Sequence, residues 1–115
     1  MGSAVYTKGV VIMKVYIWLD DVRDIGSPPF DWGLSVRAHS YADAIYYLTA
    51  YLKEDNEVYI SFDHDLGEEK SGYDVAKWLV ENEPICKVYY RVHSMNPVGR
   101  ANIERLLDHY GYERF

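Results

Sequence analysis

The chain alternates short apolar runs with segments whose apolar residues recur at helical spacing. Three helices are predicted to begin at the N-cap residues Ser40, Ser71 and Asn96. Because strands that alternate with helices require crossover connections, the pattern predicts an α/β fold. We expect an open, mainly parallel four-stranded sheet with helices packed on it. The four runs with the length of strands are 15–19, 34–38, 58–62 and 87–92.

Two segments interrupt this alternation. Residues 1–13 have no clear periodicity and are predicted to be a leader or flexible N-terminus, with 14–115 forming a single domain. Residues 25–33 contain two prolines and two glycines, which predicts a loop rather than a helix between the first two strands.

Polar residues follow three of the predicted strands at the point where each strand ends. The first strand ends in Asp20 and Asp21, the third in the triplet 63–65, and the fourth in the segment 93–96. The carboxyl ends of parallel strands meet at one edge of a sheet, where open α/β sheets bind ligands. We therefore expect these groups to converge in one cleft, with 63–65 at its centre.

The carboxylates at this edge predict a cation site. Asp20, Asp21 and Asp63 offer the oxygen ligands that a hard cation such as Mg²⁺, or another divalent cation, prefers. Crowded carboxylates repel one another unless a positive group compensates. The alternative is that one or two of them only cap helices or loops. A zinc site is less well supported, because no cysteine pair and no His-x-x-x-His spacing is present.

Two histidines at the strand ends are candidates for proton transfer. His64 and His93 can each exchange a proton near neutral pH, so one can activate a nucleophile while the other protonates a leaving group. Asp65 either orients His64 or caps the turn at Gly67. The alternative for each histidine is a structural hydrogen bond to a neighbouring carboxylate.

Candidate phosphate ligands surround these groups. Arg23 and Arg100 are candidate clamps, since a guanidinium grips phosphate with two hydrogen bonds. Ser94, Asn96 and the first amides of the last helix add donors. The alternative for Arg100 is a solvated helix residue.

Composition narrows the class of partner. A net charge of −6 argues against binding duplex DNA, which requires a basic surface, but allows a small phosphorylated ligand. No apolar run is long enough to span a membrane. The single cysteine, Cys86, is typical of a reducing compartment, so a cytoplasmic location is expected. The many tyrosines on helix faces allow a homodimer.

Four motifs together resemble the cyclic-phosphate-processing receiver-like domains, a variant of the response-regulator receiver fold, between residues 18 and 105. The motifs are LDDVR at 19–23, FDHDLG at 62–67, GYDVA at 72–76 and HSMNPVG at 93–99. The resemblance implies a truncated receiver- or flavodoxin-like three-layer sandwich. It also implies that Asp20, Asp21 and Asp63 hold Mg²⁺, that Asp63 matches the phosphoacceptor, and that Ser94 or His93 lies near the receiver's Thr/Ser.

Departures from the receiver pattern decide between the functions that the resemblance implies. The loop 25–33 replaces the first helix, the chain is expected to end before a fifth strand with its lysine, and His64 and His93 are additions. These departures favour a metal-assisted phosphoesterase that acts on a cyclic nucleotide or a 2′,3′-cyclic phosphate at an RNA end, by water attack or through a phosphoenzyme at Asp63. The alternatives are a non-catalytic module that binds a phosphate or cyclic nucleotide and, third, a phospho-accepting receiver in signalling.

Overall fold

The computed structural model describes residues 4–7, 10–22 and 33–115. None of the helices in these segments is long and apolar enough to cross a membrane. The described strands are β1 Ala4–Thr7, β2 Val10–Leu19, β3 Leu34–Ala38, β4 Asn56–Phe62, β5 Lys87–Val92 and β6 Glu113–Arg114. The described helices are α1 Tyr41–Tyr51, α2 Gly72–Glu81 and α3 Pro97–His109.

The strands form one mainly parallel sheet, which confirms the predicted α/β class. Strand β2 pairs in parallel with β3 on one side and with β4 on the other, and β5 and β6 follow in order beyond β4. The parallel strands therefore have the order 2-1-3-4-5, which is the order of flavodoxin-like sheets. In such a sheet the strand order reverses beside the first strand, and ligands bind at the carboxyl ends next to that point.

The sheet has six described strands rather than the predicted four. Strand β1 pairs antiparallel with the first residues of β2, from Ala4 opposite Met13 to Thr7 opposite Val10, so strands extend into the segment predicted to be a leader. Strand β6 pairs in parallel with β5, although the chain was expected to end before a fifth parallel strand. Both added strands are too short to show a periodic pattern. Strand β6 is fixed by tertiary contacts, including the bond from Phe115 N to Tyr90 O at 3.0 Å.

All three described helices pack on one face of the sheet. Alternate residues of β2, β4 and β5 join the inner residues of the helices in a single core. Within the described residues the helices therefore form one layer on the sheet. On the opposite face Tyr16 is fully buried, and the Arg91 guanidinium lies 4.7 Å from the centre of the Phe115 ring.

The helix starts are where the caps predicted them. Ser40 Oγ accepts a hydrogen bond from Asp43 N at 3.1 Å, and Asn96 Oδ1 accepts one from Gly99 N at 2.9 Å. At α2, the Ser71 backbone N–H donates to Asp74 Oδ2 at 2.8 Å. These contacts fix the first turns of α2 and α3, which begin just beyond the carboxyl ends of β4 and β5.

The cap of α2 gives stability a dependence on pH. The hydrogen bond from the Ser71 backbone lowers the pKa of the Asp74 carboxyl below its usual value. Its stabilising effect is therefore complete above the pKa of the unfolded chain, about 3.9, and is lost as pH falls through the lower folded value. We expect Asp74→Ala to lower the free energy of unfolding by about 1 kcal/mol at neutral pH.

Urea unfolding of wild type and Asp74→Ala across a range of acidic pH checks this expectation. The difference between the two proteins should shrink as the pH falls below about 4. Asp55→Ala removes an exposed carboxylate and serves as the matched control. A difference for Asp74→Ala that stays constant into strong acid would contradict the assignment.

Candidate functional site

Three polar side chains meet at the carboxyl edge of the sheet, one residue beyond β2, β4 and β5. Potential ligand atoms of Asp20, Asp63 and His93 all lie within 4.8 Å of one another; we call these residues the Asp–Asp–His cluster. The backbone ladder sets their common level, because Asp63 N donates to Leu19 O and His93 N donates to Phe62 O, both at 2.9 Å. The predicted convergence of the strand ends is therefore present.

His93 is held on three sides within this cluster. Its Nε2 lies 3.0 Å from Asp20 Oδ2, and its Nδ1 lies 2.8 Å from Ser61 Oγ. The Trp18 indole stacks on the imidazole, with ring centres 4.0 Å apart and planes 5° from parallel. Both ring nitrogens and one ring face are thus engaged, so the orientation of His93 is fixed.

The cluster has the donor set of a divalent-cation site. Asp20 and Asp63 are 1% and 7% exposed, and two buried carboxylates this close repel each other unless a positive group such as a cation or a protonated histidine compensates. Two carboxylate oxygens and one imidazole nitrogen fit such an ion. Asp21 was predicted as the third ligand, but the structure brings His93 to the cluster in its place. Asp21 instead lies beside Gly67, where an added Cβ would meet its Oδ2 at 2.8 Å.

An open cleft of about 440 Å³ adjoins the cluster through Asp63. Its carboxylates are accompanied by two well-exposed apolar side chains, Val22 and Met95. The cleft is lined by Asp21, Val22, Asp63, Asp65, Gly67 and Met95. A small ligand in the cleft can therefore contact both carboxylates and the exposed apolar side chains of Val22 and Met95, which we call the rim of the cleft.

His64 and Asp65 form a pair at the edge of this cleft. His64 Nδ1 lies 2.9 Å from Asp65 Oδ1, and this hydrogen bond lowers the pKa of the Asp65 carboxyl. Asn96 Nδ2 donates to the other carboxylate oxygen at 3.4 Å. The His64 ring packs against Gly99 of α3, and His64 is not among the cleft-lining residues. Asp65 is therefore the member of the pair that faces the cleft.

The predicted phosphate ligands that the structure describes lie between the end of β5 and the first turn of α3. Ser94 Oγ accepts a hydrogen bond from Asn96 N at 3.1 Å, and the Asn96 side chain caps α3. Arg100 is exposed, and its Nε donates to Glu104 Oε2 one turn along the helix. Arg23 lies outside the described residues.

Two glycines that sequence reasoning gave no role bring helices close to the site. A Cβ added to Gly72 would lie 1.9 Å from the Asp63 carbonyl oxygen, and one added to Gly99 would lie 2.3 Å from His64 Cγ. Ser61 and Trp18, which hold His93, were interpreted only as strand residues. A glycine in the first turn of each helix was the available signal, since glycine weakens helices and needs a compensating reason there.

Comparison with known proteins gives the family. No curated protein and no solved structure matches the chain. The family model described as "Cyclic-phosphate processing Receiver domain" matches residues 15–109, a range that contains α1, α2, α3 and all three members of the Asp–Asp–His cluster. The chain therefore belongs to the family of cyclic-phosphate processing receiver domains.

Proposed function

We propose that the chain is a metal-assisted phosphoesterase that opens a cyclic phosphodiester. The observation that carries the proposal is the Asp–Asp–His cluster. It contains two buried carboxylates and adjoins an open cleft at the carboxyl edge of the sheet. A fold of this kind binds ligands at that edge. Membership of a cyclic-phosphate processing family supports the same substrate class.

Asp20, Asp63 and His93 would hold the cation, either Mg²⁺ or another divalent ion. A cation there would supply positive charge to phosphoryl oxygens. Asp63 belongs both to the cluster and to the cleft lining, so a phosphate in the cleft lies next to the cluster. Asp21 contributes negative charge to the cleft rather than a ligand atom.

Ring opening adds one water across a phosphorus–oxygen bond. The water oxygen forms a bond to phosphorus, one ring P–O bond breaks, and one proton passes from the water to the leaving oxygen. Asp65 lines the cleft and its Oδ1 lies 2.9 Å from His64 Nδ1, so this pair at the edge of the cleft is the proposed carrier of the proton. His93, the other predicted proton carrier, is engaged in the cluster by Asp20 and Ser61. Attack by Asp63 itself, followed by hydrolysis of the aspartyl phosphate, is the mechanistic variant.

The rim of the cleft favours a nucleotide over inorganic phosphate. Val22 and Met95 expose 81% and 84% of their surface beside the carboxylates, and a nucleobase would bury part of that apolar area. A cyclic nucleotide and an RNA end with a 2′,3′-cyclic phosphate both have a base on the ribose that carries the cyclic phosphate. The proposed contacts for the phosphate are still Ser94, Asn96, Arg23 and Arg100.

The proposed location of the protein is the cytoplasm, because a single cysteine, Cys86, is typical of a reducing compartment.

Incubation with a panel of 2′,3′- and 3′,5′-cyclic nucleotides and a divalent cation tests this proposal. We expect wild type to release a monoester from at least one of them, and His64→Gln to do so about 100-fold more slowly, since a positioned acid–base group contributes at least that factor. His109→Gln, which removes an exposed histidine of α3, is the matched control.

The same panel separates catalysis from binding. If a cyclic nucleotide raises the melting temperature of the protein but no product forms with any cation, the non-catalytic binding module is correct instead. Formation of an aspartyl phosphate from a small phosphodonor, without turnover of cyclic phosphates, would favour the phospho-accepting receiver.

A further inference from the structure

The third potential ligand of the Asp–Asp–His cluster is a nitrogen atom. Three carboxylates would suit Mg²⁺, whereas imidazole nitrogen suits ions such as Zn²⁺, Fe²⁺ and Ni²⁺. We infer that the cation of this site is a transition-metal ion of the Zn²⁺ type, and that His93 is the ligand that selects it over Mg²⁺. The inference rests on the cation site of the proposed function and names the ion that the site takes.

The hydrogen bond to Ser61 prepares His93 for this role. A histidine that ligates a metal usually donates its other ring N–H to a nearby oxygen, which fixes the tautomer and the ring orientation. Ser61 Oγ lies 2.8 Å from His93 Nδ1, and Ser61 is fully buried in β4. Because a carboxylate only accepts, Nε2 donates to Asp20 Oδ2 in this structure; a bound cation would take the place of that proton, while Nδ1 donates to Ser61.

Trp18 restrains the ring from the side. Its indole stacks at 4.0 Å on the imidazole, and its own Nε1 is buried without a hydrogen-bond partner in the part of the chain that the structure describes. An unsatisfied buried donor is uncommon and destabilising. The position of Trp18 is thus set by packing on His93 rather than by a hydrogen bond of its own, as expected if the ring orientation is what the site requires.

The ligand atoms are close enough together to share one ion. Potential ligand atoms of Asp20, Asp63 and His93 all lie within 4.8 Å of one another. The third residue, Asp63, also lines the cleft, so three protein ligands would leave a position open toward the substrate, as catalytic zinc sites do.

Calorimetric titration of the metal-free protein with Zn²⁺ and with Mg²⁺ tests the inference without any substrate. We expect Zn²⁺ to bind at least about 100-fold more tightly than Mg²⁺. His93→Gln should weaken Zn²⁺ binding by at least about tenfold, while Ser61→Ala, which removes the partner of Nδ1, should weaken it about 10- to 100-fold. Mg²⁺ binding should change little in either variant, and His109→Gln should behave as wild type.

Long-range ¹H–¹⁵N spectra supply a second measurement. On addition of Zn²⁺, the Nε2 resonance of His93 should shift while His64 and His109 keep their resonances. Equal affinities for Zn²⁺ and Mg²⁺, a Zn²⁺ affinity that His93→Gln leaves unchanged, or a shift confined to His64 would each overturn the inference. If circular dichroism shows that His93→Gln does not fold, Ser61→Ala decides: a weaker Zn²⁺ affinity supports the inference and an unchanged one overturns it.

These results are separable from those that test the proposed function. A protein that binds Zn²⁺ through His93 but opens no cyclic phosphate supports the metal assignment and contradicts the phosphoesterase. Turnover that Mg²⁺ supports as well as Zn²⁺, with equal binding of the two ions, supports the phosphoesterase and contradicts the metal assignment.

Discussion

Asp63→Asn is expected to reduce the rate of cyclic-phosphate opening by on the order of 1,000-fold, because the proposed cation site would lose a ligand beside the cleft. Stabilisation of phosphoryl charge by a metal contributes several kcal/mol, and each 1.36 kcal/mol is a factor of ten in rate. Asp63 is the residue that the cluster and the cleft share, so its carboxylate acts on both. The measurement is the initial rate of monoester formation at saturating cation.

Asp21→Asn distinguishes a cation site made by Asp20, Asp63 and His93 from the site predicted from the sequence, in which Asp20, Asp21 and Asp63 are the ligands. The two acids were predicted to be equivalent ligands, but Asp21 lies outside the Asp–Asp–His cluster. We therefore expect Asp21→Asn to reduce the rate by no more than about tenfold, which corresponds to an increase of about 1.36 kcal/mol in the activation free energy. Asp55→Asn, at an exposed position, is the matched control. Equal losses for Asp21→Asn and Asp63→Asn would show that the receiver-type acid pair holds the cation.

Gly99→Ala is expected to lower the free energy of unfolding by about 1–3 kcal/mol, because the new methyl group overlaps the His64 ring. The added Cβ would lie 2.3, 2.5 and 2.7 Å from three atoms of that ring. The ring sits on the first turn of α3, whose backbone is held by the Asn96 cap. His64 must therefore move, and its hydrogen bond to Asp65 is broken or lengthened.

A double variant isolates this contact. In a His64→Ala background the overlapping ring is gone, and alanine is the better helix residue by about 1 kcal/mol, so Gly99→Ala should become neutral or stabilising. Thermal and urea unfolding of the wild type, the two single variants and the double variant give the coupling. An unchanged penalty in the His64→Ala background would mean that the overlap with His64 is not the cause.

The sequence was sufficient to predict how the strand ends converge. Apolar runs located β2 to β5, and Ser40, Ser71 and Asn96 located the helix starts, because both signals are local. Once the strands are parallel, Asp20, Asp63 and His93 must share one edge. The fold class and the family therefore follow from patterns that do not depend on atomic detail.

Which side chains meet at that edge depends on register and direction, which the pattern does not contain. Neighbouring residues at a strand end point in different directions, so of Asp20 and Asp21 only Asp20 reaches the cluster. In the triplet 63–65, Asp63 and Asp65 face the cleft while His64 packs on α3. The pattern of apolar and ionisable residues in the sequence is the same whichever of two neighbouring side chains points into the site.

The remaining differences come from tertiary contacts between distant segments. Strand β6 has two residues and is fixed through Phe115 N on Tyr90 O and through Arg114 Nη2, which lies 2.6 Å from Asp108 Oδ2. Gly72 is explained by the Asp63 carbonyl oxygen, a group from another element. These contacts join residues that are far apart in the sequence, so no local pattern of residues predicts them.

The most direct test of metal-assisted phosphoesterase activity is a ³¹P NMR time course of a 2′,3′-cyclic nucleotide with the protein, first without metal and then after addition of Zn²⁺ or Mg²⁺. The phosphoesterase predicts that the cyclic-phosphate resonance is stable at first and is replaced by a monoester resonance once the cation is present, with Asp63→Asn showing no such change. A cyclic-phosphate resonance that stays unchanged with wild type and every cation, across both the 2′,3′- and 3′,5′-cyclic series, would contradict it.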